Sequence, residues 1–148
     1  MKNQSFTNQY LLSPLISLFC NHLIDYPTES NLNYWWSLGS LVGFTLSLQI
    51  ISGLFLTMHY YPDARFAFNS IESICRDVNY GYLLRFLHSN GAFWFLILIY
   101  IHIARAFFVG SFFDTRKILW LSGVLIFLLT MATAFIGYSL VWGQMSLW

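Results

Sequence analysis

Three long apolar stretches alternate with short polar segments along this chain. No Asp, Glu, Lys or Arg occurs in residues 30–62, 86–104 or 118–148. About 20 consecutive apolar residues in a helix suffice to cross a hydrocarbon core about 30 Å thick. The pattern therefore predicts three transmembrane helices, over residues 35–58, 86–105 and 119–140.

The segment before residue 35 has a weaker, periodic pattern. Its apolar residues recur with a helical period among polar neighbours: Tyr10, Leu11, Leu15, Leu18, Phe19 and Leu23. This predicts an amphipathic interfacial helix within residues 1–30. It does not resemble a signal peptide, because the apolar run is weak, Lys2 is the only early cation and no small-residue cleavage pattern follows. The polar connection 60–85 is expected to be an ordered surface segment with short helical turns.

Composition agrees with a membrane protein. The chain is 57% hydrophobic and only 9% charged, whereas soluble domains carry roughly one-quarter charged residues. Its 148 residues suggest one domain, and a net charge of +1 gives no reason to expect nucleic acid. Cys20 and Cys75 are interpreted as packing residues. The predicted fold class is an all-α membrane protein with three transmembrane helices preceded by an interfacial helix.

The charges flanking the spans favour one orientation slightly. Lys2 and three cations between the second and third helices would share one side, against three cations in the other loop. The positive-inside rule then places the N-terminus on the cytoplasm-like side.

Residue pairs at a fixed interval are the main chemical clue. Three pairs stand fourteen positions apart, one in each apolar stretch: His88 with His102, Gly39 with Gly53, and Gly123 with Gly137. Fourteen helical residues rise about 21 Å and turn to within about 40° of four full turns. Both members of a pair therefore face almost the same way at two depths. Two imidazoles on one helix and missing side chains on two others fit a pair of stacked b-type haems.

Other interpretations of these residues remain open at this point. Either histidine alone could lie at the interface or bond a neighbouring helix, and a glycine in a spanning helix often serves close packing. Arg85 and Arg105, which bracket the second stretch, could be ordinary snorkelling anchors. The pairing of the histidines nevertheless favours haem ligation, since ionisable residues within a span are usually functional.

Four segments resemble the N-terminal part of mitochondrial-type cytochrome b, the haem and quinone subunit of respiratory complex III. They are LNYWWSLGSLVG, QIISGLFLTMHY, ICRDVNYGYLLRFLHSNGA and MATAFIGYSLVWGQMSLW. The resemblance extends from about Asp25 to Trp148 and implies half of a di-haem helical bundle.

The resemblance implies roles for individual residues. His88 matches the metal ligand of the low-potential haem and His102 that of the high-potential haem, while Gly39, Gly53, Gly123 and Gly137 match the glycines that admit the haem edges. Arg85 matches a propionate partner of the first haem. Residues expected around the second haem are Arg105 and, as weaker candidates, Trp36, Ser111 and Trp120.

Two quinone sites follow from the same resemblance. Met131, Phe135, Tyr138 and residues 142–146 match the wall of the quinol-oxidising site, and Ser40 approaches the quinone-reducing site. From the residues alone, Met131 and Phe135 form an i, i+4 pair more typical of packing than of a ligand pocket. Val141 stands where the family usually has proline, which puts the geometry of the following turn in doubt.

The implied activity is quinol:cytochrome c oxidoreduction with two b haems and ubiquinone. The implied partners are cytochrome c1, the Rieske iron–sulfur protein, other complex III subunits and membrane lipid, in a dimeric complex of the mitochondrial inner membrane or a bacterial plasma membrane. The family's fourth helix supplies a second pair of histidines, which this sequence lacks. His22 and His59 lie outside the spans or at their ends.

We therefore expect a split cytochrome b, completed by a further fragment that carries the remaining ligands. An experimentally truncated sequence is one alternative. A redox-inactive structural or assembly subunit is another, but the retention of both histidines, four glycines and two arginines speaks against it.

Overall fold

The computed structural model describes residues 14–25, 27, 30–113 and 116–147. These residues form helices and connecting turns, with no strand among them. They fall into two units that divide between Asn33 and Tyr34. The all-α fold class predicted from the sequence is confirmed.

In the part of the first unit that the structure describes, Pro14–Leu23 form helix α1. Proline suits the first position of a helix, where its missing N–H has no partner to lose. Leu18 and Phe19 are each 59% exposed. Tyr10 and Leu11, which belong to the predicted amphipathic pattern, lie outside the described residues, so the interfacial placement of this helix stays a prediction.

The second unit begins with a 3-10 turn, Tyr34–Ser37, which runs directly into helix α2 over Leu38–Thr57. Together they are long and apolar enough to cross a membrane. Serine and threonine hydroxyls on α2 donate hydrogen bonds to backbone carbonyls of the same helix. Thr45 donates to Leu41, and Ser47 donates to Gly43, each over 3.0 Å. Such local bonds satisfy hydroxyl groups where water is absent.

The connection between α2 and the histidine helix contains a further helix, α3, over Ala67–Arg76. It is ordered as expected, but its helix of ten residues is longer than a short turn. Ala67 and Ile74 are buried, and α3 packs against the next helix. Before it, hydrogen bonds from the Arg65 side chain and backbone hold the pKa of the Asp63 carboxyl below its usual value.

Helix α4, Gly81–Val109, carries both histidines. Its 29 residues span about 43 Å at 1.5 Å per residue. It extends beyond the predicted 86–105 at both ends, so Arg85 and Arg105 lie within it. The helix ends at Gly110, whose φ of 67° is left-handed and whose N–H bonds the Ala106 and Phe107 carbonyls. Glycine adopts this conformation at little cost.

Helix α5, Lys117–Ser139, is the third helix able to span a membrane. No residue of α5 is buried. Its contacts with α4 are aromatic, including an edge-to-face pair between Tyr100 and Phe127 with centroids 5.9 Å apart. By contrast α2 and α4 pack closely, and Phe95 and Ile99 of α4 are each only 8% exposed. The tightest part of the unit is therefore the α2–α4 pair.

Candidate haem-binding site

Each histidine of α4 faces a glycine of α2. A Cβ atom placed on Gly53 would lie 3.1 Å from Cε1 of His88, and one placed on Gly39 would lie 3.4 Å from Cε1 of His102. The order is reversed along the two helices, so α2 and α4 are antiparallel. The fourteen-residue intervals on the two helices therefore match in space as well as in sequence.

The ring nitrogens of the two histidines have different surroundings. Nδ1 of His88 lies 2.8 Å from the hydroxyl oxygen of Ser52. Nδ1 of His102 is buried and has no hydrogen-bond partner among the described residues. Ser52 was missed in the sequence analysis. A hydroxyl residue next to Gly53 was its only sequence signal, and this does not reveal which way the side chain points.

The glycines of α5 occupy a different environment. No heavy atom outside their own helix segment lies within 4 Å of a Cβ placed on Gly123 or Gly137. The structure does not bring either residue against a histidine. Within the described residues, the glycine pair of α2 therefore faces the two histidines, whereas the glycine pair of α5 does not.

The two arginines bracket the histidines on α4. Arg105 lies with its guanidinium carbon 4.6 Å from the ring centroid of Trp36, and its Nε is buried without a described hydrogen-bond partner. Arg85 is exposed and donates from Nη1 to the sulfur of Cys75 over 3.2 Å. A buried guanidinium nitrogen that lacks an acceptor suits a carboxylate ligand.

The weaker candidates around Arg105 have other roles in this structure. Ser111 donates its hydroxyl to the Ala106 carbonyl over 3.3 Å at the end of α4. Trp120 packs between two phenylalanines, Phe107 and Phe112, with centroid distances of 5.2 and 5.5 Å. Trp36 is therefore the one of the three that directly contacts the arginine.

These residues fit a b-type haem. Imidazole nitrogens are suitable ligands for haem iron. Gly123 and Gly137 leave open space beside α5, and Nε of Arg105 is a buried donor that would suit a propionate. No cluster of three or more His, Cys, Asp or Glu side chains suited to a bare metal ion occurs among the described residues.

An open groove of about 450 Å³ lies at the start of α2. It contains Ser40, the residue predicted near the quinone-reducing site. The hydroxyl of Ser40 donates to the Ser37 carbonyl over 2.8 Å. The lining residues are Tyr34, Ser37, Leu38, Ser40, Leu41 and Phe44.

A second groove, of about 260 Å³, lies at the end of α5. Its lining residues are Phe135, Ile136, Ser139, Leu140, Trp142 and Ser146. Of the predicted wall, Phe135 and the turn residues Trp142 and Ser146 line this groove. Met131 instead lies with its sulfur 4.0 Å from the Tyr100 hydroxyl, and Tyr138 is 63% exposed.

The turn after α5 is held by hydrogen bonds to the last carbonyls of the helix. The Tyr60 hydroxyl donates to the Leu140 carbonyl, and the Ser146 hydroxyl donates to the Ser139 carbonyl, both over 2.7 Å. Trp142 has a left-handed φ of 52°. Val141 lies within this turn. The sequence did not predict the role of Tyr60, because Tyr60 lies 80 residues from its acceptor.

Comparison with known proteins identifies the family. The family model described as "Cytochrome b/b6/petB" matches residues 23–148. Cytochrome b of Oryza sativa subsp. japonica is 53% identical over 148 residues, and that of Arabidopsis thaliana is 52% identical over the same length. Cytochrome b of Phytophthora megasperma is 56% identical over 134 residues.

A solved structure agrees with the sequence matches. A chain of "Hyperthermophilic respiratory Complex III" is similar with a TM-score of 0.86 and 32% identity, over 90% of this chain and 34% of that one. The fold and sequence define a multi-pass membrane protein of all-α type. The chain belongs to the cytochrome b/b6 family, and it corresponds to the N-terminal part of a complex III cytochrome b. It spans about 37% of the length of the rice and Arabidopsis relatives.

The contact between Gly53 and His88 leads to a stability prediction. Gly53→Ala places a methyl group 3.1 Å from Cε1 of His88, so the ring must shift, and overpacking of this kind costs about 1–3 kcal/mol. Gly43→Ala is the matched control, because a Cβ there meets nothing within 4 Å. We expect a lower thermal midpoint in detergent for Gly53→Ala only. Equal midpoints for the two variants would contradict a tight fit at Gly53.

Proposed function

We propose that this chain supplies one axial histidine to each of two b-type haems in a quinol-oxidising respiratory complex III. His88 would bind the low-potential haem and His102 the high-potential haem. The observation that carries the proposal is the antiparallel match of His88 with Gly53 and of His102 with Gly39. The imidazoles and the glycines that face them recur at the same two levels, as two stacked cofactors would require.

The chain's own residues would hold and orient the cofactors. When bound, haem supplies one-electron redox chemistry. Arg105 would bind a propionate through Nε, a donor that has no described acceptor. Arg85 would exchange its contact with Cys75 for the other haem's propionate. Gly123 and Gly137, which meet nothing within 4 Å, would leave α5 free to lie beside the macrocycles. The opposing histidines would come from further cytochrome b polypeptide.

The two grooves would form parts of the quinone sites. Consecutive spanning helices alternate in direction, so the start of α2 and the end of α5 lie at opposite faces of the membrane. Ser40 would contribute to quinone reduction at one face, and Phe135 with the turn 142–146 would contribute to quinol oxidation at the other. Met131 and Tyr138 would contribute to this second site only after side-chain movement or packing of additional helices.

The proposed assembly is a dimeric complex with cytochrome c1 and the Rieske iron–sulfur protein in the mitochondrial inner membrane. Ubiquinol would be its substrate. The direct test is to isolate the assembled complex from its native membrane and to record a reduced-minus-oxidised spectrum with a haem assay. We expect two b haems for each copy of this chain.

The isolated chain is the matched comparison for that test. With only one histidine available for each iron, it should show no stable bis-histidine haem pair. A full two-haem spectrum from the chain alone would contradict the shared-ligand proposal. A complex that contains this chain but no haem b would instead indicate a structural or assembly role.

A further inference from the structure

Among the described residues, Ser52 is the one polar residue that is almost fully buried, with 2% of its surface exposed. Its hydroxyl oxygen lies within hydrogen-bond distance of three atoms. These are the Leu48 carbonyl at 2.7 Å, the Gln49 carbonyl at 3.2 Å and Nδ1 of His88 at 2.8 Å. A buried hydroxyl needs partners, but it has only one hydrogen to donate.

The position of that hydrogen determines the tautomer of His88. Carbonyl oxygens can only accept, so the Ser52 hydrogen points to a backbone carbonyl, of which Leu48 is the nearer. If it pointed to His88 instead, the hydroxyl oxygen would face two carbonyl oxygens without a hydrogen between them. Nδ1 of His88 must therefore carry a hydrogen and donate it to Ser52, and Nε2 keeps the lone pair that a metal requires.

Among the described residues, the second histidine has no equivalent acceptor. The fourteen-residue interval that relates Gly53 to Gly39 also relates Ser52 to Leu38. A leucine side chain cannot accept a hydrogen bond, and Nδ1 of His102 is buried without a described partner. The two levels are alike in their glycines, but they differ at the residue that contacts Nδ1 of His88.

We propose that Ser52 is a positioning residue that fixes His88 as the Nδ1-protonated tautomer and lowers the reduction potential of the iron bound at its Nε2. The inference rests on the proposed haem ligation. An acceptor for Nδ1–H makes the imidazole a more basic ligand, and a more basic ligand stabilises ferric over ferrous iron. Because His102 lacks this contact within the described residues, Ser52 contributes to a difference between the two haem potentials.

The test is a potentiometric titration of b-haem absorbance in membranes that hold the assembled complex. In Ser52→Ala, we expect the ferric-to-ferrous ratio at a fixed potential to fall about tenfold for one haem only, which equals 59 mV for a one-electron couple. The affected haem is the one whose signal His88→Leu removes. Electron paramagnetic resonance of the ferric complex should show altered g values for the same haem.

Two further variants separate hydrogen bonding from packing. Ser52→Thr keeps the hydroxyl and should restore both the potential and the g values. Ser47→Ala removes an exposed hydroxyl of the same helix, bonded only to the Gly43 carbonyl, and should change neither.

Each outcome decides the inference. Loss of the His88 haem in Ser52→Ala but not in Ser52→Thr would also support an orienting hydroxyl. Unchanged potentials in Ser52→Ala, or loss of haem in both variants, would overturn it while leaving the haem ligation intact. A wild-type complex without haem b would overturn the proposed function itself, and this inference with it.

Discussion

Replacing His88 with leucine will remove one of the two b haems from the assembled complex. Leucine has a similar volume but no lone pair, so the iron at that level loses its ligand from α4 while the helix keeps its apolar packing. About half of the reduced b-haem absorbance should disappear. Quinol oxidation should fall by more than about a hundredfold, because even the loss of a group that orients a metal ligand costs up to that factor.

His102→Leu is the matched variant and should remove the other half of the signal. His59→Gln is the control, since His59 is exposed beyond the end of α2. It should retain both haems. Normal haem content in either leucine variant, with the complex assembled as shown by its subunit composition, would rule out that histidine as a ligand.

Gly81→Ala should destabilise the protein more than any other glycine-to-alanine change discussed above. A Cβ on Gly81 would overlap the Ile74 carbonyl oxygen and would lie 3.0 Å from both the Ile74 carbonyl carbon and Cβ of Val78. The main overlap is with backbone, so no side-chain rotation relieves it, and the end of α3 must move away from α4. We expect a loss of at least about 3 kcal/mol, at the upper end of overpacking costs.

The measurement for this variant is thermal unfolding of the complex in detergent, followed by helical circular dichroism. Gly143→Ala is the control, because Gly143 has an extended backbone with a φ of −81° and a Cβ there meets nothing within 4 Å. The control should unfold near the wild-type temperature. An unchanged midpoint for Gly81→Ala would show that α3 does not pack against α4 as described.

The apolar stretches were sufficient to predict three spanning helices, because a bilayer requires long apolar runs whose backbone groups bond within each helix. The exact ends of these helices were predicted less well. Arg85 and Arg105 bound the charge-free stretch, but α4 continues four residues beyond each of them. Long basic side chains can extend toward the interface while their backbone stays helical. Charged residues show where the apolar part of a helix ends. The helix itself ends at a residue with a left-handed backbone, such as Gly110.

Contacts between residues on different helices could not be predicted from the sequence. The interval of fourteen residues predicted that His88 and His102 share a face, since this depends on one helix only. That Gly53 and Ser52 meet His88 depends on how α2 is rotated against α4, which periodicity does not specify. The same interval on α5 predicts similar cleared positions. A Cβ on Gly123 or Gly137 meets nothing within 4 Å, and the contact of these two glycines with haem stays a prediction.

The difference in burial between α5 and the α2–α4 pair bears on how such a protein is built. Helix α5 has no buried residue, so its contacts with α4, such as the Tyr100–Phe127 pair, leave most of its surface uncovered. Helices α2 and α4, by contrast, pack closely against each other, and their interface buries Ser52. Close packing of α2 with α4 can therefore precede that of α5, whose uncovered surface is available to further subunits or helices.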